Sequence, residues 1–256
     1  MLRIERRDAV TTLTLDRPEV GNALDVELVG RLAEALAAAS ADATTRVIVI
    51  TGAGKSFSAG ADLNYMRKMR EAGVDANLAD ARRTQAVFAG IAAHPRPVIA
   101  RVNGHARGGG VGLLAAADLV VAAAEATFAF TEVRLGIVPA MIAPFVIARV
   151  GPARARRLFL TAETFSAADA LAWGLADRVV PAAELDAAVA AVAAELAKGG
   201  PLALAEAKML VDDVVASPPA LVPELTAARI ARLRASAEAQ EGMTGFLEKR
   251  PPRWVK

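Results

Sequence analysis

Residues 98–118 read VIARVNGHARGGGVGLLAAAD. The first five residues are a short, mostly apolar run, which predicts a strand buried on both faces of a sheet. A glycine-rich loop follows and leads into an apolar segment that we predict to be a helix ending near Ala117. A strand that passes through such a loop into a helix is typical of a parallel sheet with crossover helices. The stretch therefore indicates an α/β fold.

The same order of elements recurs on both sides of this stretch. Upstream, residues 47–50 (VIVI) predict another buried strand, the loop TGAGKSFSAGAD spans 51–62, and a helix is predicted over about 80–93. Downstream, residues 119–121 and 127–133 are further strand candidates. Open α/β sheets bind ligands in the loops that follow their strands. The two glycine-rich loops are therefore the candidate site.

The two ends of the chain have different patterns. The first 15 residues alternate and end at Arg17-Pro18, which predicts a β-hairpin. Asp25 is placed to cap a helix whose leucines recur at helical spacing to about Ser40. Beyond residue 139 the chain is mainly helical, and no linker separates independent domains. We predict one α/β core with a C-terminal helical extension that packs on a neighbouring subunit.

The composition limits the chemistry open to the chain. Its 256 residues include 30 Lys+Arg, 28 Asp+Glu, two His and no Cys, and 54% of them are hydrophobic. Without Cys there can be no disulfide, thiol nucleophile or thiolate metal site. Two histidines are too few for a histidine-rich metal centre, so we expect no metal. The chemistry must use carboxylates, backbone dipoles or a bound ligand.

Neither a membrane nor a nucleic acid is expected as a partner. Charges interrupt every apolar stretch at the N-terminus, unlike a signal peptide. The longest apolar run, 113–124, is broken by Asp118 and is shorter than the roughly 18–20 residues of a spanning helix. The net charge of +2 indicates a balanced surface, whereas nucleic-acid footprints need clustered Lys and Arg. We expect a cytoplasmic protein.

Three short motifs resemble known sites but lack residues those sites need. GAGKS at 52–56 has Val49 where a phosphate loop needs its first glycine. Residues 110–115 match a loose dinucleotide pattern, but they lie far from the N-terminal strand that normally carries it. SFSAG at 56–60 lacks the first glycine of a nucleophile elbow, and neither histidine completes a recognisable triad. Nucleotide hydrolysis, hydride transfer and serine hydrolysis are poorly supported alternatives.

Both glycine-rich loops can present backbone N–H groups to a ligand. Small residues allow close approach, a helix N-terminus favours negative charge, and two amides aimed at one point form an oxyanion hole. The segments SFSAGADL at 56–63, NGHARGGGVGLLAAAD at 103–118 and FAFTEVRLGIVPA at 128–140 resemble the enoyl-CoA hydratase/isomerase, or crotonase, superfamily. The resemblance extends from DRPEVGNAL at 16–24 to EGMTGFLEKRPPRW at 241–254. It covers nearly the whole chain.

The resemblance implies a set of catalytic residues. Ala61, in AGAD, and Gly109, the middle glycine of the triplet, would donate amides to the thioester oxygen of an acyl-CoA. Glu132 matches one of two glutamates with which hydratases of this family add water; its other interpretation is a surface glutamate paired with Arg134. Gly112 stands where the second glutamate would be. A single carboxylate must then move the proton, and the absent side chain would enlarge the acyl pocket.

The resemblance also implies substrate-binding positions. These are Ala23, Leu24, Ala59, Asp62, Leu63, Gly112, Pro139, Phe246 and Lys249. The last two would come from the C-terminal helices, and their other interpretations are a helix core residue and a solvated charge. Coenzyme A is part of the substrate, and no separate cofactor is implied. The combination of GGGVG with EVRLGIVPAMIAPFV resembles bacterial 3-methylglutaconyl-CoA hydratases, which suggests a branched acyl chain.

The architecture that the resemblance implies is a crotonase spiral of ββα units over residues 1–200. Residues 201–256 would form a helical region at the interface of a homotrimer or homohexamer. The implied reaction is the addition of water to a 2-enoyl-CoA thioester. Two alternatives stay open. One is a Δ3,Δ2-enoyl-CoA isomerase, which needs only one carboxylate, and the other is a non-catalytic member that binds acyl-CoA or RNA.

Overall fold

The first eight strands follow one another in pairs along the chain, and helices separate the pairs. The computed structural model describes residues 1–255. The strands in this range are β1 (Leu2–Arg7), β2 (Val10–Leu15), β3 (Val47–Gly52), β4 (Ser56–Ser58), β5 (Val98–Val102), β6 (His105–Arg107), β7 (Leu119–Ala123), β8 (Thr127–Ala129), β9 (Phe165–Ser166) and β10 (Arg178–Val180). The α-helices are α1 (Val26–Ala41), α2 (Leu63–Glu71), α3 (Val74–Ala92), α4 (Gly109–Ala116), α5 (Ala143–Val150), α6 (Pro152–Thr161), α7 (Ala167–Ala172), α8 (Leu185–Lys198), α9 (Pro201–Ala216), α10 (Val222–Arg234) and α11 (Ala237–Leu247).

The larger sheet has six strands in the order β1-β2-β3-β5-β7-β10. β1 and β2 form the predicted antiparallel hairpin, and the strands from β2 to β10 in that order are parallel neighbours. Every residue of β3 is buried because helices cover both faces of the sheet. Ile48 and Ile50 pack with residues of α1 and α3, whereas Val47 and Val49 pack with residues of α8. The continuous apolar runs seen in the sequence follow from this double coverage.

The smaller sheet has four strands in the order β4-β6-β8-β9. β4, β6 and β8 directly follow β3, β5 and β7 along the chain, so each unit gives one strand to each sheet before its helix. This repeat is the expected spiral of ββα units. Gly104 allows the tight passage from β5 to β6, since a Cβ there would lie 1.9 Å from the carbonyl oxygen of Lys55.

Several elements differ from the sequence prediction. β4 and β6 lie within the two predicted glycine-rich loops, and β9 and β10 lie in the region predicted to be mainly helical. α2 is missing from the prediction, although Leu63, Met66 and Met69 recur at helical spacing; the helix is only 9 residues long and buries none of them. α3 begins at Val74 rather than near residue 80. The predicted strand 127–133 ends at Ala129 and is followed by a 3-10 turn over Glu132–Leu135. Thr131, with φ −94° and ψ 1°, leaves the extended region and so ends the strand.

Polar contacts attach α9–α11 to the rest of the chain. Lys208 of α9 forms an ion pair with Asp118, with Nζ 2.9 Å from Oδ2. The Arg46 guanidinium donates to the carbonyl oxygens of Gly199 at 2.5 Å and Trp254 at 3.1 Å. Large apolar side chains of this region that face solvent are Leu202, Met209, Val211, Val215, Leu221, Ile230, Met243, Phe246 and Leu247. The division of the chain at residue 200 stays a prediction.

Within residues 1–255, no single helix is long and apolar enough to cross a membrane. The pair Ala182–Lys198 and Pro201–Ala216, which is bent by 102°, passes that test only when both helices are taken together. In the same part of the chain, no three His, Asp or Glu side chains are grouped closely enough to hold a metal ion.

Candidate active site

The loop after β4 supplies the first backbone donor. Leu24 forms an isolated parallel bridge with Ala61: its N–H donates to Gly60 O at 2.7 Å, and its carbonyl accepts from the Asp62 N–H at 2.9 Å. Leu24 therefore bonds to Gly60 and Asp62, the residues before and after Ala61. In a parallel bridge this pattern turns the N–H of Ala61 away from Leu24. Within residues 1–255 it donates to no backbone acceptor. The amide is therefore available to a ligand.

The loop after β6 supplies the second donor. Gly108 has φ +45° and precedes Gly109, the first residue of α4. N–H groups in the first turn of a helix have no partner within the helix, and the helix dipole favours negative charge there. A Cβ on Gly110 would lie 2.6 Å from Ser58 O, and one on Gly60 would lie 3.8 Å from Gly109 N. Glycine therefore lets the two donor loops meet.

Glu132 places a carboxylate beside the second loop. A Cβ on Gly108 would lie only 2.8 Å from Glu132 Oε1. Among the described residues, the buried Oε2 has no hydrogen-bond partner. Burial raises the pKa of Glu132, and its own backbone N–H offsets part of that rise. The surface-pair interpretation is wrong, because the Arg134 guanidinium donates to the carbonyl oxygen of Ala162 at 2.9 Å.

Two available amides and an unpaired carboxylate thus lie on adjoining loops. The amides of Ala61 and Gly109 are suited to hold an oxygen that becomes negatively charged. A carboxylate with a raised pKa, close to those donors, is suited to accept a proton and return it. The arrangement fits a carbonyl compound in which a proton moves at a nearby carbon while charge collects on the carbonyl oxygen.

Apolar side chains close the side of α4 that carries Gly109 and Gly112. A Cβ on Gly109 would lie 3.3 Å from Leu24 Cδ1 and 3.9 Å from Phe88 Cζ. One on Gly112 would lie 2.1 Å from Ile142 Cγ2 and 3.2 Å from Phe88 Cε1. The expectation that Gly112 enlarges the acyl pocket is therefore wrong. The volume next to Gly112 is filled by Ile142, which is 2% exposed.

Most predicted substrate-binding positions lie around the first donor loop. Ala59 donates its N–H to Gly21 O at 2.8 Å, Asp62 caps α2, and Leu63 is its first residue. Ala23 and Leu24 are buried beside them, and Leu63 is 71% exposed. Pro139, also buried, follows the turn that carries Glu132.

Phe246 and Lys249 lie in the C-terminal region, where α11 packs against α9 and α10. Phe246 lies on α11 and is 83% exposed, so it is not a helix core residue. Lys249 follows the end of α11, with φ +56°. Their role in substrate binding stays a prediction.

Three residues that shape the site, Phe88, Ile142 and Arg17, are not among the predicted site residues. Phe88 and Ile142 form the apolar wall, and the buried face of a helix was the only available signal for Phe88. Arg17 stands in the quoted motif DRPEVGNAL, but its partners lie up to 45 residues away. No local pattern identifies such an arginine.

Comparison with known proteins agrees with this geometry. The family model for enoyl-CoA hydratase/isomerase matches residues 5–256. A crotonyl-CoA hydratase of Syntrophomonas wolfei is 34% identical over 258 residues, covering 98% of this chain and 96% of the relative. A 2,3-dehydroadipyl-CoA hydratase of Escherichia coli is 36% identical over 254 residues, covering 98% and 97%. The crystal structure of an enoyl-CoA hydratase from Shewanella pealeana superposes with a TM-score of 0.96 at 35% identity, covering 99% of this chain and 95% of that one.

The chain therefore belongs to the enoyl-CoA hydratase/isomerase family and is an enzyme of that family. The predicted crotonase fold and the family resemblance are confirmed.

Proposed function

We propose that this enzyme adds water to the α,β double bond of a 2-enoyl-CoA thioester. The observation that carries the proposal is the unpaired, buried Oε2 of Glu132 on the turn beside the Gly109 helix terminus. The amides of Ala61 and Gly109 would hold the thioester oxygen. The relatives named for crotonyl-CoA and 2,3-dehydroadipyl-CoA support a thioester of this class.

The proposed mechanism uses a single carboxylate. Ionised Glu132 takes a proton from water as the water oxygen bonds to Cβ of the substrate. The electron pair of the double bond moves towards the thioester oxygen, which becomes an enolate held by the two amides; each such donor contributes about 2.7–4 kcal/mol in the transition state. Glu132 then returns a proton to Cα. The product is a 3-hydroxyacyl-CoA, and Glu132 is ionised again.

Gly112 makes this single-carboxylate mechanism necessary. It supplies no acid or base at the position of the family's second glutamate, and Ile142 and Phe88 surround it with apolar atoms. A raised pKa helps Glu132 both to accept a proton from water and to donate one to Cα. Proton transfer is most efficient when the pKa of the catalytic group is near the working pH.

Among 2-enoyl-CoA thioesters, the proposed substrate is a branched one such as 3-methylglutaconyl-CoA. It rests on the sequence GGGVG with EVRLGIVPAMIAPFV and on the apolar character of the wall formed by Leu24, Phe88 and Ile142. Such a wall accepts an alkyl group on the substrate without leaving a polar group unpaired. Coenzyme A would lie along the first donor loop, over Ala59 and Leu63.

The proposed assembly is a homotrimer or homohexamer with residues 201–256 at the interface. Val215, Phe246 and Leu247 are 81%, 83% and 79% exposed in the single chain. Contiguous exposed apolar patches mark interaction surfaces, and an interface formed by residues 201–256 would cover these side chains. In such an assembly Phe246 and Lys249 would reach the coenzyme A of a neighbouring subunit.

The second candidate function is a Δ3,Δ2-enoyl-CoA isomerase. The observation that favours it is again Gly112, because moving one proton between two carbons needs only one carboxylate. A water molecule need not be activated in that reaction, so the apolar wall is no obstacle.

An acyl-CoA panel with product masses separates these functions. Purified enzyme is supplied with crotonyl-CoA, 3-methylglutaconyl-CoA and, separately, a 3-enoyl-CoA. The proposal expects a product 18 mass units heavier than a 2-enoyl-CoA, the mass of one water. Conversion of the 3-enoyl-CoA alone, with no 3-hydroxyacyl product from any 2-enoyl-CoA, establishes the isomerase instead. If Glu132→Gln leaves every turnover unchanged, the carboxylate mechanism is wrong. The non-catalytic alternative gains support only if the wild type converts none of these acyl-CoA compounds.

A further inference from the structure

Arg17 contacts both sides of the bridge that orients the first amide donor. Its guanidinium donates to the carbonyl oxygen of Ala23 at 2.6 Å and to Asp62 Oδ2 at 2.9 Å, and it lies 3.1 Å from Asp25 Oδ2. The Arg17 side chain is only 15% exposed. Arg17 thus connects Ala23 and Asp25, which flank Leu24, with Asp62, which follows Ala61.

The two carboxylates that Arg17 contacts are both helix caps. Asp25 Oδ1 accepts the Leu28 N–H and begins α1. Asp62 Oδ1 accepts the N–H groups of Asn64 and Tyr65 and begins α2. Each carboxylate therefore uses one oxygen for its helix and turns the other towards Arg17. The arginine fixes the two helix starts relative to each other.

Without Arg17, two negative charges would face each other in a mostly buried space. Like charges repel strongly where water is scarce. Burial alone would raise the pKa of Asp62, but the amides of Tyr65 and Asn64 and the Arg17 guanidinium outweigh it, and the pKa of this carboxyl is lowered. Asp62 is therefore ionised and needs its cation.

We propose that Arg17 is a positioning residue for the oxyanion hole: by holding Ala23, Asp25 and Asp62 together, it keeps the Leu24–Ala61 bridge in register and the Ala61 amide aimed at the thioester oxygen. Arg17 does not touch the substrate. The inference rests on the proposed function, since it needs a thioester carbonyl at the Ala61 and Gly109 amides.

Arg17→Met tests the inference, since methionine keeps much of the apolar stem and removes the charge. A misplaced donor should lower kcat by about 10- to 100-fold, less than the 10²–10³-fold for a missing donor, with KM changed much less. Arg17→Lys should recover part of kcat, because an ammonium keeps the charge but loses the planar fork. Arg6→Met is the matched control: Arg6 lies 3.3 Å from Asp42 on the exposed surface, and its kcat should equal that of the wild type.

A spectroscopic measurement separates positioning from stability. Butyryl-CoA, which cannot be hydrated, is labelled with ¹³C at the thioester carbonyl, and the infrared carbonyl band is recorded free and bound by difference. The wild type should shift this band to lower frequency, and folded Arg17→Met should lose much of the shift. If Arg17→Met fails to fold, Arg17→Lys and Asp25→Asn are measured in the same way.

The outcomes distinguish this inference from the proposed function. A wild-type enzyme that binds butyryl-CoA without a band shift contradicts the oxyanion hole itself. A wild-type shift that folded Arg17 variants retain in full, together with unchanged kcat, contradicts only the role of Arg17. A kcat that falls only in proportion to the folded fraction also overturns it, because Arg17 would then act through stability alone.

Discussion

Gly112 and Ile142 are mutually dependent: a Cβ on Gly112 would lie 2.1 Å from Ile142 Cγ2 and 2.9 Å from Ile142 Cβ. Ile142 is almost fully buried and cannot move aside freely in a close-packed interior. Ile142 therefore fills the space that a glutamate side chain at position 112 would need. Any side chain at position 112 must displace Ile142 first.

Gly112→Ala is expected to destabilise the enzyme by up to about 2 kcal/mol, because overpacking a core costs about 1–3 kcal/mol. The better helix propensity of alanine, about 1 kcal/mol, offsets only part of this. Chemical denaturation measures the free energy of unfolding. Gly30→Ala is the matched control, because a Cβ on Gly30 of α1 meets nothing within 4 Å; it should stabilise by about 0.5–1 kcal/mol.

Substitutions at Ile142 test which atom causes the clash. Ile142→Leu removes the branch methyl at Cβ and should reduce the cost of Gly112→Ala, whereas Ile142→Val keeps that methyl and should not. Double-mutant cycles with each variant give the two coupling energies. Equal coupling for Leu and Val would show that the Cγ2 contact does not set the cost.

Glu132→Gln is expected to abolish turnover and to raise the thermal stability. The substitution removes a charge whose Oε2 is buried without a partner, a condition that costs about 1–3 kcal/mol. A gain of about 1 kcal/mol raises Tm by roughly 2–4 °C in a domain of 150–250 residues. Calorimetry at pH 7 checks the stability, and product mass checks turnover. A lower Tm at pH 7 contradicts the absence of a partner for this carboxylate.

The pH profile of kcat/KM is expected to fall on the acid side at a midpoint above 4.5, the ordinary pKa of Glu. Burial raises the pKa of Glu132, so the protonated form, which cannot accept a proton from water, persists to higher pH. The loss should reach tenfold per pH unit below the midpoint, since this profile reports groups of the free enzyme. A midpoint at or below 4.5 means that Glu132 is not the group that must be ionised.

The free energy of unfolding is expected to fall as the pH drops below about 6.5, in part through His94. This ring is buried; its Nδ1 accepts the Arg96 N–H at 3.0 Å, and its Nε2 lies 3.0 Å from Leu36 O. Burial lowers the pKa of His94 from 6.5. The unfolded chain therefore takes up a proton first, and stability present above pH 6.5 is lost as the pH falls towards the folded pKa.

His94→Gln should flatten this loss between pH 6.5 and 5, as measured by urea denaturation across that range. His105→Gln is the matched control, because His105 is exposed, and it should keep the wild-type slope. If His94→Gln keeps the wild-type slope as well, other groups account for the pH dependence.

Local patterns were sufficient to predict the strand and the helix of residues 98–118, but not the short strand β6 inside the predicted loop. The apolar run, the glycines and the apolar helical segment lie within a few residues of one another, so no distant contact is needed to interpret them. α2 was not predicted, although Leu63, Met66 and Met69 recur at helical spacing, because the segment is short and mostly polar and buries no residue. Glu132 was predicted from its flanking motif, although it lies on a turn rather than a strand.

Relationships between distant segments depended on the tertiary structure. Nothing near Gly112 indicates that Ile142 fills the space beside it, and the sequence alone suggested an open pocket. Arg17 meets Asp62 only because β2, the first donor loop and the starts of α1 and α2 come together in the folded chain.

By itself, the sequence determined the α/β class, the family resemblance, the two donor loops and the candidate carboxylate. These depend on residue type and short spacing, which fix local conformation and local chemistry. Only the tertiary structure decided what surrounds them: an unpaired carboxylate, an apolar wall in place of a second glutamate, and a buried arginine that joins two helix caps. Packing and charge pairing act between atoms close in space, whatever their separation along the chain.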